Sequence, residues 1–158
     1  MINSRRKFLT SICSVAAYSL SLATGLAHAS LENVQWLNKS FSLSPYDETI
    51  EHLFKGAKLI DNHNKIKFER LPHVAENGAI VPIKIISSFK NVTKIYIFVE
   101  KNPHPLSAEF NLSPSVAAEV SARLRMAKTS AVTVIVEADG KFYRKTKKVK
   151  VAIGGCGG

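Results

Sequence analysis

Between residues 116 and 127 every even position is apolar or small (Val116, Ala118, Val120, Ala122, Leu124 and Met126), with Glu119, Ser121, Arg123 and Arg125 between them. A helix would repeat its apolar face every three or four residues. Strict alternation instead sends the two classes to opposite faces of a strand, so this alanine-containing stretch reads as β. The same period recurs along the chain. Ile66 and Phe68 share one side of residues 65–70, Leu71-Pro72 ends that run, and Glu76-Asn77-Gly78 reads as a turn. Residues 79–87 are apolar but contain Pro82, which has no N–H for a ladder, so an edge or bulge is expected there. Residues 93–100 carry Ile95, Ile97 and Val99 on one face and Tyr96 and Phe98 on the other. Such a strand is either central or has an interface on its second face, and that face is the expected partner surface. Asn102-Pro103-His104-Pro105 is a rigid loop, and residues 106–112 and 132–136 continue the strand pattern.

Asp139-Gly140 is a two-residue hairpin signal. A regular hairpin pairs Val136 with Tyr143, but then sets Val134 opposite Lys145 and Val132 opposite Lys147. Two lysines on an apolar face predict either a bulge near Arg144 or a break of residues 141–153 into two strands. Val149, Val151 and Ile153 then alternate cleanly. Before the strands, Ser44-Pro45-Tyr46-Asp47 has the form of a helix start, with Ser44 capping, Pro45 first in the helix and Asp47 at the positive helix end. Ile50, Leu53, Phe54 and Ala57 carry this helix to about Lys58, with His52 on its polar, solvated side; Trp36 is expected to anchor the arm before it. About seven short strands and one short N-terminal helix predict an immunoglobulin-like β-sandwich over residues 30–153.

The beginning of the chain reads as a segment to be removed. Arg5-Arg6-Lys7 precede an uncharged stretch over residues 11–26 that closes on Ala27-His28-Ala29. That is the three-part pattern of an export signal, and the twin arginine points to the Tat route. The uncharged stretch is too short and too rich in serine and alanine for a membrane anchor, and Ile12 before Cys13 does not suit a lipoprotein. Cleavage after Ala29 and a periplasmic product are expected. Removal takes Arg5, Arg6 and Lys7 but no acid, so the net charge falls from +10 to +7.

Removal also takes Cys13, one of only two cysteines, and leaves Cys156 as a single thiol. One cysteine allows no internal disulfide, and an odd cysteine in an exported protein points to intermolecular pairing or a reactive thiol. Cys156 sits between Gly154-Gly155 and Gly157-Gly158, four of the eight glycines in the chain. Such a run is expected to form a flexible arm, up to roughly 17 Å long at about 3.3–3.6 Å per residue. A thiol on such an arm lacks the structured cleft a nucleophilic enzyme requires. His52, His63, His73 and His104 have no metal-ligand spacing, and there is no nucleotide loop, so no metal, cofactor or independent catalysis is expected. Lys141, Arg144, Lys145, Lys147, Lys148 and Lys150 concentrate positive charge before the arm. They read as a solvated strand face or as cations that attract anionic substrate and favour the thiolate. Export and the lack of interleaved exposed aromatics argue against nucleic acid. An ordinary thiol of pKa about 8.5 is thiolate to a few per cent at pH 7.

The terminal Val149-Lys150-Val151-Ala152-Ile153-Gly154-Gly155-Cys156-Gly157-Gly158 resembles the signature of the SoxY family, the sulfur carriers of bacterial thiosulfate oxidation. Leu71-Pro72, Ala75-Glu76-Asn77-Gly78, Val81-Pro82, Glu100-Lys101-Asn102-Pro103 with Pro105, Val120-Ser121, Arg123-Leu124-Arg125-Met126-Ala127 and Asp139-Gly140 also match. His104 and the basic run 145–148 depart from the expected pattern without touching the thiol. The resemblance implies an immunoglobulin-like fold and a tight heterodimer with SoxZ, with substrate carried covalently on Cys156. It implies transient docking to the cytochrome SoxAX, which conjugates thiosulfate oxidatively, and to the hydrolase SoxB, which releases sulfate. In some organisms a sulfane dehydrogenase follows. Two other readings stand beside it. One is a ubiquitin-like sulfur carrier charged as a Gly158 thiocarboxylate, which export disfavours because its activation needs ATP. The other is a structural subunit joined through a Cys156 disulfide.

Overall fold

A computed structural model describes residues 39–153 except 44, 62, 63 and 114. The export segment, Trp36, the Ser44 cap, His63 and the whole of Gly154–Gly158 with Cys156 lie outside the described residues. Among the described residues, helix α1 (Tyr46–Phe54) precedes nine strands: β1 (Leu59–Asp61), β2 (Ile66–Phe68), β3 (Val74–Asn77), β4 (Val81–Ser87), β5 (Val92–Val99), β6 (Leu106–Asn111), β7 (Glu119–Leu124), β8 (Ser130–Ala138) and β9 (Lys141–Ile153). They form a large sheet of order β1-β9-β8-β5-β6, to which β3 adds along β9, and a small sheet β2-β4-β7. This is the immunoglobulin-like β-sandwich expected from the alternation, with two more strands than anticipated.

The core lies between the sheets. Ile95, Ile97 and Val99 of β5, Val132, Val134 and Val136 of β8 and Val149 of β9 meet Ile66, Val81, Ile83, Ile85, Val120, Leu124 and Met126. Fully burying one such side chain contributes about 1.5–3 kcal/mol. The even-position rule holds for Val120, Leu124 and Met126, but Val116 is exposed and precedes the strand.

Both faces of β5 are apolar because it is a central strand with α1 packed on its second face. Tyr96 and Phe98 are buried with Phe54, Leu106 and Ile135, and Tyr46, Ile50, Leu53 and Phe142 pack around them. The Phe54 ring meets those of Tyr96 and Phe142 edge-on at 5.2 and 5.0 Å. The expectation that this face receives a partner is therefore corrected: the chain's own helix fills it.

The helix starts one residue later and ends four residues earlier than its spacing predicts. Pro45 is the N-cap, extended at φ −82° and ψ −174°, and its carbonyl accepts hydrogen bonds from the Thr49 N–H and hydroxyl, both at 3.2 Å. Lys55 (φ 47°) and Gly56 (φ 76°) are left-handed and stop the helix at Phe54. His52 is half-buried rather than fully solvated.

Two expectations about strand interruptions resolve differently. Pro82 lies on β4, the middle strand of the small sheet, yet disrupts nothing. The Lys84 carbonyl accepts from Glu69 N–H at 2.8 Å, so the backbone of Lys84 faces β2. Pro82, two residues away, faces the same side but lies beyond the last β2 pairing, Phe68 with Ile85, where no donor is needed.

The β8–β9 hairpin contains no bulge, and residues 141–153 form one strand. Asp139 (φ 51°) and Gly140 (φ 69°) make the tight turn, and Val134 does face Lys145, as Val132 faces Lys147. Both lysines are half-buried at the margin of the sandwich and reach across it. Lys145 Nζ donates to the Ile66 carbonyl and Lys147 Nζ to the Leu71 carbonyl, each at 2.6 Å. The Lys65 carbonyl accepts from Ser88 N–H on the β4 side, so the next carbonyl, Ile66, points to the open edge of β2. The lysine stems cover apolar surface while their ammonium groups satisfy an unpaired sheet edge.

Candidate functional site at the end of the last strand

The site expected from the sequence is a thiol three residues beyond Ile153, namely Cys156 framed by Gly154, Gly155, Gly157 and Gly158. Those residues lie outside the described part. What is described is the platform that ends at Ile153.

Strand β9 changes neighbours along its length. Its first part pairs in parallel with β1 (Leu59 with Phe142, Asp61 with Arg144), and its last part pairs in parallel with β3 (Val74 with Lys150, Asn77 with Ile153). The β3 pairing fixes the chain up to the arm. Lys150 N–H donates to the His73 carbonyl at 2.9 Å, and Gly78 N–H donates to the Ile153 carbonyl at 2.7 Å. The Gly78 carbonyl in turn accepts from Met126 N–H at 2.7 Å, tying this corner to the segment after β7. On the other edge the pairing with β8 stops at Ser130 opposite Val149, and the Thr129 hydroxyl takes over: it accepts from Val151 N–H at 3.0 Å and donates to the Val151 carbonyl at 3.5 Å. Burial declines along the same face, from Val149 (buried) through Val151 (half-buried) to Ile153 (69% exposed). Backbone bonds therefore hold the strand beyond the point where the core ends.

The six cations of β9 divide into two groups. Arg144 donates to both carboxylate oxygens of Asp61, its Nη2 to Oδ2 at 2.9 Å, and this pairing holds the Asp61 carboxyl below its ordinary pKa. With Lys145 and Lys147 on backbone carbonyls, three of the six are engaged in holding strands together. Lys141, Lys148 and Lys150 are exposed. Lys148 and Lys150 lie nearest in sequence to Cys156, so the expected attraction for an anionic substrate rests on two residues rather than six.

Sequence reasoning missed β3, Gly78 and Thr129 as the supports of Ile153. Ala75, buried between exposed Val74 and Glu76, is the only local signal of β3, because its partner lies about 75 positions away in sequence. The turn assigned to Glu76-Asn77-Gly78 is corrected: Glu76 and Asn77 are the end of β3, and the turn follows at Gly78-Ala79, with Ala79 N–H bonded to Asn77 Oδ1 at 2.8 Å. The loop at Asn102 behaves as expected. Its side chain accepts from Ala127 N–H at 2.9 Å and donates to the Arg125 carbonyl at 2.6 Å.

Among the described residues, no group of three or more His, Cys, Asp or Glu side chains could hold a metal ion. No helix among them is long and apolar enough to cross a membrane. His73 and His104 are exposed and lie on separate segments.

A family model described as sulfur oxidation protein SoxY matches residues 50–156, more than half of the chain and inclusive of Cys156. Among solved structures, the sulfur carrier protein SoxY from Chlorobium limicola f thiosulfatophilum is 38% identical, with a TM-score of 0.61 over 69% of this chain and 97% of that one. A superoxide reductase (neelaredoxin) from Ignicoccus hospitalis T24K is 15% identical over 68% of this chain and 89% of that one, at a TM-score of 0.48 too low to carry argument. No curated protein matches the sequence. The chain belongs to the SoxY family of sulfur oxidation proteins.

Proposed function

We propose that this chain is a covalent carrier of sulfur-oxidation intermediates in periplasmic thiosulfate oxidation, with Cys156 as the attachment point. The observation that carries the reading is the family match, which runs through the core strands to Cys156 and stops there. The platform supports it, since β9 is bonded through the Ile153 carbonyl, one residue before Gly154. A carrier needs a rigid handle joined directly to a slender arm, and glycine on both sides of the thiol leaves little bulk to exclude from a narrow active site.

In the proposed cycle the chain does no catalysis. The Cys156 thiol and thiosulfate lose two electrons and one proton as the S–S bond of a cysteine S-thiosulfonate forms, the electrons passing to a SoxAX-type cytochrome. A SoxB-type hydrolase adds water across the terminal S–S bond, releasing hydrogen sulfate and leaving a cysteine persulfide. A sulfane dehydrogenase oxidises that sulfur where one is present. The handle pairs with a SoxZ-type subunit as a heterodimer, and export follows the Tat route with cleavage of residues 1–29.

Intact-mass and peptide analysis of the protein from cells respiring thiosulfate tests the reading. Adducts of sulfane or thiosulfonate mass are expected on the Cys156 peptide and are absent in Cys156→Ser. Full thiosulfate oxidation by Cys156→Ser in the reconstituted system would overturn it. A mass gain that persists in Cys156→Ser but needs Gly158 would point to a thiocarboxylate instead.

A further inference from the structure

We propose a non-covalent site for a sulfate-class dianion on the outer face of the small sheet, built by Arg70, Arg123 and Ser121 around Pro82. The β4–β7 register places Pro82 opposite Arg123 and Lys84 opposite Ser121, so these four share the face turned away from the core. Pro82, Ser121 and Arg123 border a cavity of about 320 Å³ that Arg70, Ile83 and Ala122 complete. A second cavity of about 390 Å³ continues from it past Arg70, Pro82 and Pro72. The ring of Pro82 leaves a shallow floor, with no long side chain to fill the space between the two arginines.

The charges on this face select an anion. Lys84 pairs with Glu69 Oε2 at 2.8 Å and Glu119 Oε1 at 2.7 Å, a cluster of net charge −1 that the two arginines outweigh. Those bonds occupy both nearby carboxylates, Glu69 included where it borders the second cavity. Arg70 and Arg123 are exposed and have no ion pair among the described residues, and Lys67 adds a further exposed cation nearby on β2. Two guanidinium forks and a hydroxyl bordering one concavity match the oxygens of a tetrahedral dianion, and arginine binds such groups bidentately. Chloride or a monocarboxylate would leave most of these donors unused.

The site lies at the arm end of the sandwich. Pro82 is four residues from Gly78, a span of at most about 14 Å, and Gly78 N–H is bonded to the Ile153 carbonyl. A site here would hold thiosulfate or product sulfate close to the base of the arm. That use rests on the carrier reading; the binding itself does not, and the test separates the two.

The chain carrying Cys156→Ser, uniformly ¹⁵N-labelled, is titrated with sodium thiosulfate and with sodium sulfate at constant ionic strength maintained by sodium chloride. Saturable shifts are expected at the amides of Arg70, Ile83, Ser121, Ala122 and Arg123. Arg70→Gln with Arg123→Gln should weaken binding about 100-fold, at roughly tenfold for each charge-assisted pair. Arg70→Lys with Arg123→Lys, which keeps the charge and loses the forks, should weaken it at least about tenfold. Shifts that do not saturate, that chloride reproduces, or that survive unchanged in either double variant overturn the site. None of these outcomes bears on the Cys156 adduct, because the thiol is absent throughout.

Discussion

Along β9, Lys145 and Lys147 meet the small sheet with ammonium groups on the Ile66 and Leu71 carbonyls, whereas Val149 meets it as a fully buried side chain and Ile153 scarcely meets it at all. The same strand face thus carries two chemistries within 9 residues, and the neighbours on the far edge change from β1 to β3 over the same distance. The first region adds side-chain bonds to its backbone ladders: two lysine bonds and the Arg144–Asp61 pair. The second is held by the backbone bonds of Lys150 and Gly78, with one side chain, the Thr129 hydroxyl, on Val151. Long side chains lose about 1.5–2 kcal/mol of rotamer freedom when fixed, while backbone bonds between ordered strands add no such cost. Apart from Thr129, the region nearest Cys156 therefore uses bonds that depend little on residue identity. Parity links the two. A one-residue slip that freed the lysines would also turn Val149 and Val151 outward.

The largest contrast is between Val149 and Ile153, which have the same parity four residues apart. Val149→Asp places an unpaired carboxylate at a fully buried position and should cost about 4 kcal/mol in urea unfolding, with loss of the cooperative transition in a marginal background. Ile153→Asp, at an exposed position, should stay within about 0.5 kcal/mol of wild type. Equal costs at both positions would mean that the core extends to the end of the strand, contrary to the decline in burial.

The lysine bridges come next. Lys145→Ala and Lys147→Ala each leave a carbonyl of a buried residue without its donor and should each destabilise by about 1–3 kcal/mol. Lys147→Met keeps most of the stem, so a cost close to that of Lys147→Ala assigns the effect to the Leu71 bond, and a negligible cost assigns it to packing. On the other side of the comparison, Thr129→Val removes the side-chain bonds to Val151 and should cost about 1 kcal/mol. Hydrogen exchange reads it more directly: the Val151 amide should lose protection while that of Val134, deep in β8, does not. If both amides change together, the end of β9 opens only with the whole domain.

How much of this could be read in advance depends on whether the determining contact is local. The alternation at residues 116–127, the Asp139-Gly140 turn and the two apolar faces of β5 are local, and each specifies its element. The partners of those faces are not local. Residues 46–54 announce an amphipathic helix, but nothing near them says that Phe54 lies on Tyr96 rather than leaving that strand for another protein. Likewise β1 and β3 have three and four residues and exist because β9 offers them an edge. The lysines misled for a physical reason. Polarity in the sequence predicts an outward-facing side chain, although a four-carbon stem can cross an apolar margin and end on an open sheet edge. Of the site itself, Cys156 and its glycines were legible as pattern and as family resemblance, while the supports of Ile153 were not.

The smallest expected effect belongs to the Asp61–Arg144 pair, and its pH dependence identifies it. The Arg144 hydrogen bond is the main cause that lowers the Asp61 pKa from 3.8, and the partly exposed position of both side chains limits what the pair contributes. Asp61→Asn should therefore cost under about 1 kcal/mol at pH 7. A carboxyl whose folded pKa lies below its unfolded value binds fewer protons in the folded state, so its contribution is fully present above the unfolded pKa. It declines as the pH falls through 3.8 and vanishes once the pH is below the folded value too. Wild type and Asp61→Asn should accordingly differ at pH 7, converge in acid and show a reduced difference in 1 M salt, where the Debye length is about 3 Å. A difference that stays constant from pH 7 into acid would assign the effect to the β1–β9 backbone pairing, and the first region of β9 would then be held in the same way as the last.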